Sequence, residues 1–89
     1  MRRKKHTALD VAEKLDLPAE TAGALLVTAS GRGCVLIENH LGIINYGAEI
    51  LSLKAKGGSF CVYGSNLRIA ALGRGKLLLR GEINTMEWE

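Results

Sequence analysis

Aromatic residues are scarce in this chain: one Phe, one Trp and two Tyr make up 4% of its 89 residues. The interior must therefore be filled by Leu, Ile, Val and Ala, small and mostly branched side chains that suit stacked sheets. Cysteine occurs twice, at Cys34 and Cys61. Neither a Cys-x-x-Cys nor a His-x-x-x-His spacing brings Cys34, Cys61, His6 and His40 into the pattern of a metal site. No metal and no other cofactor is expected, and the thiols are expected to be free and buried, as in a reducing cytosol. Long apolar runs are also missing. The longest uncharged ones, such as Thr21 to Gly31, fall far short of the ~20 apolar residues of a membrane span. The stretch from His6 to Asp16 is interrupted by Asp10, Glu13, Lys14 and Asp16, which does not fit the apolar region of a signal peptide, so a cytoplasmic protein is expected.

A catalytic constellation is equally hard to find. Glu38 and His40 are near in sequence, but alternate residues of a strand beside a turn point the same way into solvent, and no nucleophile is placed with them. A domain of this length buries only roughly two-thirds of its unfolded surface and is too thin to exclude much water around a site. The chain is read as a binding or assembly domain, not an enzyme.

What the sequence has in quantity is hydrophobic residues, 47%, and glycine, 11 residues. That share of core-formers, with a net charge of only +3, describes a folded chain. The charge is concentrated in Arg2, Arg3, Lys4 and Lys5, a solvated run able to touch nucleic acid or an anionic membrane surface, or to act as a plain solubilising tail. From Thr7 to Asp16, Ala8, Leu9, Val11, Ala12 and Leu15 recur at helical spacing. Thr7 can cap that short helix, Asp10 lies in its first turn, and Pro18 ends it near Leu17. Leu25 to Thr28 has the branched character of a buried strand.

Beyond Gly31 the apolar runs shorten and are bounded by Gly, Asn and Ser. They imply seven strands: Cys34 to Glu38, Gly42 to Tyr46, Glu49 to Ala55, Phe60 to Tyr63, Leu67 to Leu72, Leu77 to Arg80 and Ile83 to Trp88. None of the intervening turns leaves room for a crossover helix, so the sheet is mainly antiparallel. The expected organisation is a basic tail over residues 1–6, a helical lead-in over 7–30 and an antiparallel β domain over 31–89. The expected fold is all-β, a small antiparallel sandwich or meander with a short N-terminal helix. Gly47, Gly64 and Gly81 each follow a strand directly and are read as hairpin turns. Their common spacing of 17 residues suggests a repeat of two strands and two turns, which allows a β-solenoid as the alternative fold.

Gly-Arg-Gly occurs at Gly31 to Gly33 and at Gly73 to Gly75, each before a strand, as a tight hairpin with one solvated cation or an anion-binding nest. Base stacking would need exposed aromatics flanked by cations, and only Tyr46, Tyr63, Phe60 and Trp88 are available. The two tyrosines end adjacent hairpins and are expected side by side at the edge of the core. The last strand, ending at Trp88, is an edge able to pair with a neighbour's sheet, although Glu87 and Glu89 can equally block it.

Several segments together resemble a known family. They are Leu15-Asp16-Leu17-Pro18-Ala19-Glu20, Ile37-Glu38-Asn39-His40-Leu41-Gly42-Ile43, Tyr63-Gly64-Ser65-Asn66-Leu67-Arg68-Ile69 and Leu79-Arg80-Gly81-Glu82-Ile83. Their order and spacing are similar to the YabP/YqfC sporulation proteins, and nearer to YqfC. The Gly-Arg-Gly at Gly73 to Gly75 departs from the more acidic turn expected there. The resemblance implies a non-enzymatic protein of the mother cell, active in spore-coat assembly or at the forespore membrane. It further implies a protein partner such as the membrane protein YqfD, and it carries no catalytic or cofactor residue. A homo-oligomer and a peripheral membrane contact through Arg2 to Lys5 and Trp88 are expected. The second reading is a small nucleic-acid-binding module using Arg2 to Lys5, Arg32, Arg68 and Arg74, although nucleic acid is the less favoured partner.

Overall fold

The computed structural model describes residues 22–89. The expected N-terminal helix and the basic run Arg2 to Lys5 lie outside the described residues. Six strands form one antiparallel sheet: β1 (Leu26–Ser30), β2 (Cys34–Glu38), β3 (Gly42–Tyr46), β4 (Ile50–Ala55), β5 (Gly58–Gly73) and β6 (Lys76–Trp88), in the order β1-β2-β6-β5-β4-β3. Strand β1 belongs to this sheet, which therefore begins ahead of the boundary expected at Gly31.

The connectivity forbids a flat sheet. From Glu38 to Gly42 the chain can span at most about 14 Å. In the strand order β2 and β3 stand four spacings apart, about 19 Å if the sheet were flat. The sheet must curl until these strands approach, and the long hairpin β5–β6 supplies the bend. Residues 68–73 of β5 pair with residues 76–80 of β6, and residues 60–65 pair with residues 82–88. Between the two stretches, Asn66 and Leu67 stand against the single residue Gly81, a bulge that re-aims both strands. One layer therefore holds β1, β2, the first part of β6 and the last part of β5. The other holds the last part of β6, the first part of β5, β4 and β3.

The core lies between these layers. Val35, Ile37, Leu77 and Leu79 from the first layer join Leu51, Leu53, Phe60, Val62 and Ile83 from the second, with Leu67 at the bend. Ile37, Leu51, Leu53, Val62 and Leu79 have no exposed surface. On the outer face of β4 and β5 the side chains of Ser52 and Cys61 are buried against each other, Oγ and Sγ 3.2 Å apart, and the thiols of Cys61 and Cys34 are free.

Four sequence expectations are corrected here. The seven runs expected beyond Gly31 form five strands, because the runs on either side of Gly64 and of Gly81 are continuous, and β1 makes six. Gly47 does follow β3 in the turn before β4, its N–H donating to the Ile50 carbonyl at 2.8 Å. Gly64 and Gly81, by contrast, sit inside β5 and β6 at the bend. A Cβ on Gly64 would overlap the Glu82 carbonyl, and one on Gly81 would lie 2.7 Å from the Asn66 carbonyl oxygen. These glycines allow two main chains to touch where the hairpin folds, and the 17-residue spacing is not a turn repeat. A sheet whose strands pair in the order above is not a solenoid. The tyrosines do not stack: the Tyr46 hydroxyl accepts from the Ile69 N–H at 2.9 Å, while the Tyr63 hydroxyl donates to Glu89 Oε2 at 2.9 Å.

Candidate functional site

Among the described residues, folding one sheet over itself leaves two open seams, one between β1 and the end of β6, the other between β3 and the end of β5. At the first seam, pairing of β2 with β6 stops at Cys34 opposite Arg80. Two further bonds, from the N–H of Gly81 to Gly33 and of Ile83 to Arg32, extend it, and β2 then gives way to the turn at Gly31. Among the described residues, 84–88 have a strand neighbour, β5, on one side only.

Their orientation follows from the last pair. Ser59 and Glu89 exchange both N–H···O=C bonds, at 3.4 and 2.8 Å. In an antiparallel ladder such pairs alternate, so the main chains of Glu87 and Thr85 turn toward β5 and those of Trp88 and Met86 turn outward. The outward edge carries two partly exposed apolar side chains, Met86 and Trp88, and Trp88 stands edge-on to Phe60 with ring centroids 5.3 Å apart. Beside it opens a groove of about 240 Å³ with Val35, Ile83 and Met86 on its apolar side and Ala29, Thr85 and Arg32 along its rim. An unpaired main-chain edge next to an apolar groove is the geometry that takes an added strand.

The expected contact residue Trp88 thus lies on an open edge. Glu89 is turned instead to Tyr63. Donation to that carboxylate, with a smaller contribution from burial, holds the phenol protonated well above its ordinary range.

The polar groups considered for chemistry are not brought together. The His40 Nδ1 accepts from the Gly42 N–H at 3.1 Å, and the His40 main-chain N–H donates to the Gly75 carbonyl at 3.1 Å. Its Nε2 is buried with no partner. Glu38 faces Lys76, 3.9 Å away. Cys34 stands at the opposite end of β2 from Glu38, about 13 Å along the strand. Among the described residues no three His, Cys, Asp or Glu side chains are grouped to hold a metal ion.

The arginines of the second reading are spread out. Arg32 lies in the β1–β2 turn, Arg74 at the β5–β6 turn, and Arg68 within β5. Arg68 does meet one cation that sequence reasoning missed: Arg80 stands directly opposite it on β6, both side chains exposed. No sequence signal could have found that pair, since it depends on the bulged register of the long hairpin.

No curated protein and no solved structure matches the chain. No helix of the described residues is long and apolar enough to cross a membrane. The family model of the YabP family matches residues 22–89, a span that begins just before β1 and takes in every strand, both seams and the bent hairpin. The chain belongs to the YabP family.

Proposed function

We propose that this chain is a non-enzymatic binding and assembly module of sporulation, and that it takes a protein partner by strand addition along residues 84–88 of β6. The observation that carries the reading is the outward main chain of Met86 and Trp88 beside the groove walled by Val35 and Ile83. Membership in the YabP family fits a sporulation-related role. The finer setting rests on the sequence resemblance: closeness to YqfC, action in the mother cell at the forespore membrane or in coat assembly, and the membrane protein YqfD as partner. The run Arg2 to Lys5 would then add a peripheral contact with an anionic bilayer, each cation near the surface contributing about 1 kcal/mol.

Affinity capture from sporulating cells tests this. The wild-type chain is expected to retain a partner that the Met86→Pro variant loses. Proline removes an N–H that faces away from β5, outside the ladder of the described strands, so it blocks an added strand at little cost to the fold. Capture of nothing by the wild-type chain, or unchanged capture by Met86→Pro, would sink the reading.

A second reading, nucleic-acid contact, is favoured by one observation, the like-charged pair Arg68 and Arg80 on the outer face. Binding in a gel shift at low salt that weakens as salt rises would support it. Absence of binding at low salt rules it out.

A further inference from the structure

The second seam carries a different inference. Residues 40–48 and 67–75 are joined at three points: the His40 N–H donates to the Gly75 carbonyl, the Ile69 N–H to the Tyr46 hydroxyl, and the Leu67 N–H to the Ala48 carbonyl. The contacts run in opposite senses along the two chains, so the two edges lie antiparallel, and between His40 and Tyr46 they form no ladder. Ile43 stands opposite buried Leu53, and Leu72 opposite buried Leu77. Both therefore point to the core side of their layers, yet they are 40% and 63% exposed because none of the described strands closes the gap. Leu41 and Tyr46 extend the strip, at 62% and 47% exposure, and Ile44, the unpaired residue of the bulge between Ile43 and Asn45, stands beside it 57% exposed. Together these five side chains leave on the order of 500 Å² of largely apolar surface, near the top of what one patch on a monomer shows.

We infer that this strip is the contact with a second copy of the same chain, related by a two-fold axis across β3. The inference rests on the assembly reading above and names its partner and its surface. Charge selects the occupant. From Leu41 to Ala48 the chain has no charge, so nothing there repels an identical strip or attracts a charged partner. The ends differ in sign: Glu49 lies just beyond Tyr46, and Arg74 lies beside His40 at the tip of the β5–β6 hairpin. A two-fold axis through the middle of β3 reverses the strip and sets each copy's Glu49 against the other's Arg74. Arg68, also near the Glu49 end, alternates with inward-facing Leu67 and Ile69 and lies on the outer face with Arg80, away from this contact.

The open edge of β6 is less suited to self-contact, since Glu87 and Glu89 at its end would bring like charges close together across an axis. The contact differs in kind as well. A bulge between Ile43 and Asn45 interrupts the regular edge of β3, so the two copies pack side chains instead of continuing a ladder.

Sedimentation of the purified chain over a concentration series tests the inference. A monomer–dimer equilibrium is expected. Ile44→Lys, an exposed site whose folding is checked by circular dichroism, should weaken it by at least roughly tenfold, because two lysines would meet at the axis. Glu49→Arg and Arg74→Glu should each weaken it, and the double variant should recover most of the loss. A chain that stays monomeric up to its solubility limit overturns the inference. So does a dimer indifferent to Ile44→Lys but broken by Trp88→Ala, which would move self-contact to β6, and so does failure of the double variant to recover. Capture of the partner by Ile44→Lys as by the wild type would leave the assembly reading standing when the self-contact fails; loss of capture in wild type and variant alike would sink the assembly reading alone.

Discussion

At Gly64 and Gly81 two main chains pass so close that a side chain has nowhere to go. The obstructing atoms are carbonyl and Cα atoms of the opposite strand, not the tips of flexible side chains, so relief requires the bend itself to open. Gly64→Ala is expected to cost about 3 kcal/mol or more, measured by chemical denaturation, whereas Gly47→Ala, with open space around it, should cost about 1 kcal/mol or less. Equal effects at the two sites would contradict the assignment of Gly64 to a close contact. Tyr63 offers a second residue-level readout. Its phenol titrates above the ordinary value of ~10 chiefly because it donates to the Glu89 carboxylate. The raised value belongs to the folded state. The contact is thus at full strength below the unfolded value and is lost as pH climbs through the folded one. In a Tyr46→Phe background, where Tyr63 is the one remaining tyrosine, ultraviolet titration should place its midpoint above the ordinary value, and Glu89→Ala should lower it.

Among the elements, β5 and β6 do the most, since each serves both layers. Their cross-strand pairs are not all favourable. Arg68 opposite Arg80 sets two cations side by side on an antiparallel ladder, a destabilising arrangement. Arg80→Glu should therefore raise stability by about 0.5 kcal/mol, read as a shift in denaturation midpoint at low salt that shrinks as salt is added. Stability gained without any function lost would argue against an anion contact at this pair. The other edges also differ. The terminal edge of β6 has a regular alternation and an adjacent groove, which suits strand addition, while β3 has a bulge and an uncharged apolar strip, which suits packing.

For the molecule as a whole, the bend makes one core out of two layers. Leu51 lies in one layer and Leu77 in the other, yet both belong to the same buried cluster. Each replaced by Ala is expected to cost 2 to 5 kcal/mol, on the order seen for buried leucines, within a single unfolding transition common to both variants. A biphasic transition in either would mean that the layers fold as separate units.

Sequence alone determined what depends on neighbours along the chain. The alternation and turn residues placed β2 and β3 at their observed bounds, Cys34–Glu38 and Gly42–Tyr46, and placed β4 within one residue. They also gave the all-β, antiparallel class and left Trp88 on a terminal edge. What depended on distant pairs was decided only in three dimensions. A glycine after an apolar run reads the same whether the chain reverses there or two strands bend together, because the carbonyls that crowd Gly64 and Gly81 come from elsewhere in the chain. For the same reason the merger of four short runs into β5 and β6, the opposition of Arg68 and Arg80, and the uncharged seam beside Leu72 could not be read from the order of residues. Each arises where bulges shift one long strand against another, and a register is a property of a pair of strands, not of either one.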